Sequence, residues 1–157
     1  MVSGRTENIE IRTSSESGTE ALGFEMGLRI SRGITILLIG SLGAGKSVLA
    51  RGICKGLGVE ESVISPSFIL YEEYRGRLPV VHCDLYRLEH ERELEELGIF
   101  ERIGPDVVLV AEWGDRSERL TEIADVVVHL RMATRMNRII EINCQNQDKH
   151  LFEGHRT

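Results

Sequence analysis

Ile34-Thr35-Ile36-Leu37-Leu38-Ile39-Gly40-Ser41-Leu42-Gly43-Ala44-Gly45-Lys46-Ser47 is the stretch that decides how the rest of the chain is read. Ile34 to Ile39 carries no charge and reads as a strand buried on both faces, as in an α/β sheet. Gly40 to Ser47 then spells G-x-x-x-x-G-K-[ST], and from Lys46 the apolar spacing turns helical through Leu49, Ala50, Ile53 and Leu57, with Gly58 as a stop signal. Strand, glycine loop and helix is the context a phosphate-binding loop requires. Its glycines let backbone N–H groups curl around phosphates, and the helix N-terminus adds positive potential. Gly40, Ser41, Leu42, Gly43, Ala44, Gly45, Lys46 and Ser47 are therefore the candidate nucleotide-binding residues. Lys46 reaches the β- and γ-phosphates, and the Ser47 hydroxyl is offered to magnesium.

Working outward from this loop, Ile9 and Ile11 alternate with polar neighbours as in a short strand. Thr13-x-x-Glu16 and Ser17-x-x-Glu20 each offer a capping box for a helix whose apolar face is Ala21, Phe24 and Leu28. Downstream, Phe68 to Tyr74 and Leu78 to Asp84 flank Arg75-Gly76-Arg77 and predict an antiparallel hairpin. Glu89 to Leu97 predicts a helix ended by Gly98. Val107 to Ala111 is a second fully apolar strand, and Ala124 to Met132 with Arg138 to Cys144 predicts a closing hairpin. The reading is one α/β domain, residues 1–144, with a mixed, partly antiparallel sheet flanked by helices, followed by a polar, frayed tail over 145–157.

Composition narrows the classes of function. The 157 residues carry a net charge of -6, from 25 acidic and 19 basic side chains, which disfavours a phosphate-tracking surface for free nucleic acid. Glycine occurs 16 times, above the ~7% average, so close backbone approach matters here. Cys54, Cys83 and Cys144 form no Cys-x-x-Cys pair, which suits neither a disulfide framework nor a zinc site and points to a reducing compartment. Met1 to Glu7 has no apolar core of signal-peptide length, and no stretch approaches a membrane span, so the expected location is cytoplasmic and unanchored.

Hydrolysis requires a carboxylate for the magnesium shell and a group that orients the attacking water. Asp84 and Glu112 each close an apolar strand, and the residues alone leave the magnesium and water roles undivided between them. His82 shares a strand face with Asp84 and reads either as half of a metal pair or as a core or supporting histidine, the second being favoured for want of a third ligand. Trp113, the single tryptophan, either packs on the nucleotide or plugs the core. Ser65-Pro66-Ser67 stands where a loop sensing the γ-phosphate would lie, and reads equally as an ordinary turn.

Taken together, Gly40 to Ser47, Ser65-Pro66-Ser67-Phe68, His82-Cys83-Asp84-Leu85-Tyr86-Arg87-Leu88, Glu95-Glu96-Leu97-Gly98 and Glu112-Trp113 resemble the TsaE family in order and spacing. The resemblance spans about Thr13 to Cys144. It implies a cytoplasmic P-loop ATPase that uses ATP and magnesium. Such a protein joins TsaB and TsaD to sustain threonylcarbamoyl transfer to adenosine 37 of tRNA, and meets the tRNA mainly through that complex. It further implies that Lys46 and Ser47 serve phosphate and magnesium, that Asp84 is a magnesium-shell acid and Glu112 a hydrolysis acid, that Trp113 neighbours the nucleotide, and that Ser65 and Ser67 belong to a switch loop. Three positions depart from the family pattern: Ser41 replaces its usual Asp, and Ser47 and Ser67 its usual Thr.

Two other functions compete. A small-molecule P-loop kinase would have similar length, with Arg116, Arg119, Arg131 and Arg135 as lid residues, but an Asp-x-Asp strand end is missing. A guanine-nucleotide switch would need Asn-Lys-x-Asp, and Asn137-Arg138-Ile139-Ile140 lacks both Lys and Asp.

Overall fold

The computed structural model describes residues 6–155. The reading of Met1 to Glu7 falls mostly outside that span, as do residues 156 and 157 of the tail.

In chain order the elements are β1 (Thr6–Thr13), α1 (Glu16–Arg29), β2 (Ile34–Ile39), α2 (Lys46–Gly56), β3 (Tyr71–Arg75), β4 (Pro79–Asp84), α3 (Arg92–Glu96), α4 (Ile99–Arg102), β5 (Val108–Glu112), α5 (Glu118–Ile123), β6 (Val126–Met132) and β7 (Arg138–Gln145). A 3-10 helix follows over Asn146–Phe152. The strands form one seven-stranded sheet in the order β1-β7-β6-β2-β5-β4-β3. Its centre is parallel, with β2 between β5 and β6 and β4 beside β5, whereas β3, β7 and β1 are antiparallel additions at the two sides. The mixed α/β sheet read from the sequence is thus present.

Alternation along the central strands divides the core. Ile36 and Leu38 of β2, with Val108 and Val110 of β5, face α1 and α2, while Leu37, Leu109 and Ala111 face Leu94, Ile99 and Leu120 of α3, α4 and α5. Because both sheet faces are covered, β2 and β5 are apolar along most of their length, which is why their runs were conspicuous. Gly58 at φ +86 and Gly98 at φ +70 follow α2 and α3 as the stop signals required.

Helix α1 departs from expectation. Neither capping box is used: Ser15 is the N-cap, accepting from the Gly18 amide at 3.0 Å. Its inward face is Leu22, Met26 and Ile30 with Gly23 and Gly27, whereas Ala21, Phe24 and Leu28 are exposed. The reason is the seam with α2. A Cβ added at Gly23, Gly27, Gly52 or Gly56 would stand 2.2 to 2.4 Å from a carbonyl oxygen of the opposing helix, so the two backbones touch where side chains would otherwise interdigitate. Apolar periodicity discounts glycine and therefore selected the wrong face.

Three further boundaries move. The strand expected from Phe68 begins only at Tyr71, because Leu70 at φ +69 breaks the extended run; Phe68 remains 83% exposed, with the Arg87 guanidinium 4.3 Å over its ring. The helix expected over Glu89 to Leu97 narrows to Arg92–Glu96. The tail is not frayed over residues 145–152. Leu151 and Phe152 are buried, Arg29 donates to the Leu151 and Glu153 carbonyls, and Arg32 pairs with Asp148 at 2.6 Å. Two apolar residues at the end of a polar run suffice to anchor it against α1.

Candidate functional site

Parallel pairing sets the site at the carboxyl ends of β2, β5 and β4, where open α/β sheets bind ligands. Register places Leu38 beside Glu112 and Glu112 beside Asp84, so the two acids that close separate strands become neighbours on one edge. The glycine loop leaves β2 at the same edge and enters α2 through Gly43 at φ +78 and Gly45 at φ +107, both in the left-handed region that favours glycine.

A cleft of about 340 Å³ opens there. Of the residues singled out in the sequence, Leu42, Gly43, Gly45, Lys46, Ser47, Ser65, Ser67, Asp84, Glu112 and Trp113 line it. Gly40, Ser41 and Ala44 do not. The Gly40 and Ser41 carbonyls instead accept from Lys46 Nζ at 2.6 and 2.8 Å, the Ser41 side chain is exposed, and Ala44 is fully buried.

Glu112 is the centre of the polar cluster. Its side chain is buried, Oε1 accepts from the Ser47 hydroxyl at 2.6 Å, and Oε2 accepts from the Ser65 hydroxyl at 2.8 Å and lies 2.7 Å from His82 Nε2. Burial alone pushes the carboxyl up, but the contacts from His82, Ser47 and Ser65 outweigh it and hold Glu112 below the ordinary glutamate value. Asp84 is nearly as buried, and its oxygens accept from the Ser67 hydroxyl and the Tyr86 amide, both at 3.0 Å. The Ser65-Pro66-Ser67 turn is thereby tied to both acids. Lys46 faces the same edge, with Nζ 4.1 Å from the centre of the Trp113 ring. Burial lowers its ammonium from the usual lysine range, opposed by the charges of Glu112, Asp84 and Asp115. Trp113 itself has φ +57 and also packs against Tyr86 and the Arg116 guanidinium.

Sequence reasoning missed the wall opposite the acids. Ser15, Glu16 and Thr19 from the start of α1 line the cleft, together with Val48, Tyr86 and Arg138. Arg138 donates to the Gly43 and Ala44 carbonyls at 3.2 and 3.1 Å, bracing the loop from β7. Val48 and Tyr86 adjoin residues already singled out, whereas no phosphate-binding motif marks Ser15, Glu16, Thr19 or Arg138, which reach the cleft through the placement of α1 and of β7 beside β6. His82 does not form a metal pair with Asp84, since its contact is with Glu112. Among the described residues no three His, Cys, Asp or Glu side chains converge on a metal position.

What the arrangement offers is a backbone cradle and a lysine for phosphates, beside a hydroxyl and two carboxylates. Comparison with known proteins gives the family. The family described as "Threonylcarbamoyl adenosine biosynthesis protein TsaE" matches residues 13–140. Proteins described as "tRNA threonylcarbamoyladenosine biosynthesis protein TsaE" include one from Treponema pallidum, 34% identical over 82% of this chain and 95% of the relative. Another, from Nostoc sp., is 36% identical over 88% of this chain and 90% of the relative. The solved structure described as "Crystal structure of Bacillus subtilus YdiB" superposes with a TM-score of 0.71 at 28% identity, over 96% of this chain and 95% of that one. With most of its length matched by the family and by relatives above 30% identity, and with the glycine loop and paired acids on one sheet edge, the chain belongs to the TsaE family.

Proposed function

We propose that the chain binds ATP with magnesium, hydrolyses it, and in doing so supports a TsaB–TsaD complex in the threonylcarbamoyl modification of adenosine 37 of tRNA. The observation that carries this reading is the convergence of Lys46, Ser47, Asp84 and Glu112 on one cleft at the carboxyl edge of the sheet. Membership of a family described by threonylcarbamoyl adenosine biosynthesis supports the pathway. A cytoplasmic location is proposed with it; no helix among the described residues is long and apolar enough to cross a membrane.

The donor set fits magnesium. Ser47 Oγ and the carboxylates of Asp84 and Glu112 are hard oxygen ligands, and a cation held by one or two carboxylates plus substrate phosphates needs no all-protein cage. Ser47 and Asp84 would hold it, with Glu112 adjoining, and once bound it would supply charge neutralisation to the β- and γ-phosphates.

The chain's own residues account for the remaining chemistry. Lys46 exchanges the Gly40 and Ser41 carbonyls for phosphate oxygens, a stronger partner for an ammonium. Glu112, kept ionised, is able to accept a proton's hydrogen bond from water and orient its oxygen toward the γ-phosphorus. Attack forms the new P–O bond as the bond to the β-phosphate oxygen breaks, releasing ADP and inorganic phosphate, with one of the water's protons kept on the phosphate and the other released to solvent. Ser65 and Ser67 leave the acids for the nucleotide, which couples the turn to occupancy of the cleft.

The test mixes the chain with its cognate TsaB and TsaD, with and without tRNA at stated salt, and follows complex formation, ATP hydrolysis and repeated threonylcarbamoyl transfer. Slow hydrolysis alone that rises on mixing is expected. Tight tRNA binding by the isolated chain, with no association, would refute the proposal, and a phosphorylated small-molecule product would favour the kinase.

A further inference from the structure

We propose that His82 is a positioning residue for Glu112: the imidazole donates its Nε2–H to Oε2 and fixes the carboxylate from which water is oriented. This rests on the ATPase reading above and names a residue that reading does not use.

The geometry begins with register. His82 of β4 lies opposite Val110 of β5, two residues before the Asp84–Glu112 pair, so its side chain projects from the same sheet face as that of Glu112. Both side chains are shut off from solvent, at 1% and 2% exposure, and their 2.7 Å contact joins two rigid neighbouring strands. Glu112 has two other side-chain donors, but each is committed elsewhere once a nucleotide enters: Ser47 sits at the start of α2 in the glycine loop, and Ser65 on the turn. His82 alone of the three lies inside a strand and away from the lining of the cleft. When both hydroxyls turn to the ligand, the histidine contact remains, and a glutamate with several rotatable bonds keeps one fixed anchor.

The ring's other nitrogen supports the direction of donation. His82 Nδ1 is buried and has no hydrogen-bond partner among the described residues. A proton there would be a donor stranded away from water with nothing to accept it. Donation from Nε2 leaves Nδ1 as an unfilled acceptor at most, while meeting the carboxylate with a donor.

Two substitutions and a spectroscopic readout test this on the full chain. His82→Leu removes the donor, and His82→Gln retains an amide N–H of comparable reach. With TsaB and TsaD present, His82→Leu is expected to lower kcat for ATP about tenfold while calorimetric ATP affinity stays within about twofold, and His82→Gln to recover most of the loss. Added to Glu112→Ala, His82→Leu should cost little more, since the two act as a unit. Nitrogen-15 imidazole NMR of the nucleotide-free chain should show the Nε2–H tautomer, with the His82 signals displaced in Glu112→Ala. A His82→Leu enzyme as fast as the parent, a His82→Gln enzyme as slow as His82→Leu, or a Nδ1–H tautomer would each overturn the proposal. If His82→Leu fails to fold, His82→Gln and the tautomer still decide. A parent that hydrolyses no ATP would defeat the ATPase reading by itself; the pairing with Glu112 is then judged on the tautomer, and His82 signals indifferent to Glu112→Ala would overturn it.

Discussion

The glycine loop and the α1–α2 seam use the same residue for opposite reasons. In the loop, Gly43 has nothing within 4 Å of where a Cβ would stand, and what it supplies is a φ of +78. In the seam, Gly52 has ordinary helical backbone, and what it supplies is space: a Cβ would lie 2.2 Å from the Glu20 carbonyl oxygen. The first glycine lets the loop turn at the mouth of the cleft, and the second lets two helices close so that α2 presents Lys46 and Ser47 at a fixed height. A glycine's role is thus decided by its surroundings and its backbone angle together.

That contrast makes sharp predictions. Gly52→Ala should have the largest effect on stability. Alanine in a helix interior normally gains roughly 0.5–1 kcal/mol over glycine, whereas here backbone overlap should reverse the sign and cost about 1–3 kcal/mol, read by urea or thermal unfolding. A stabilised variant would break the seam account. Gly43→Ala should be milder in stability, about 1 kcal/mol for a left-handed alanine, yet weaken ATP binding because the loop no longer closes around phosphate. Equal ATP affinity for Gly43→Ala and parent would show that the loop's angle is dispensable.

Thiol labelling separates the two effects further. Burial pushes both Cys54 on α2 and Cys83 on β4 up to about 12. At pH 8 the thiolate fraction is then about one in ten thousand, so both should resist a disulfide reagent in the native chain. Gly52→Ala should speed labelling of Cys54 beside the seam, and Gly43→Ala should not. Equal acceleration in both variants would blur the distinction between space and angle.

The smallest effect is optical. Lys46 lies against Trp113, and on the ATPase reading it leaves that ring for phosphate, so the emission of the single tryptophan should change on adding ATP and magnesium. An unchanged spectrum at saturation would leave Trp113 a packing residue.

How much of this was legible follows from what imposes each feature. Phosphate binding demands particular residues at fixed spacing, so β2, the loop and α2 could be read directly, and so could Asp84 and Glu112 as acids closing apolar strands. That they adjoin depends on β4 pairing with β5 in parallel, a long-range fact no local pattern carries. Arg138 joins the site through the β6–β7 hairpin, and Thr19 through the placement of α1, so neither has a signature near the glycine loop. The inward face of α1 and the anchored Leu151 and Phe152 escaped because one rests on glycines and the other on two residues in a polar run. His82 was legible as a supporting histidine, but its partner was not.

The central claim is that Glu112 serves turnover and not nucleotide binding. Its most direct test compares Glu112→Ala with the parent for calorimetric ATP affinity and for steady-state ATP hydrolysis, both with TsaB and TsaD present. The account predicts near-parental affinity with hydrolysis reduced by about a hundredfold or more, the size expected for loss of a group that acts on the water. Hydrolysis at the parental rate would contradict it.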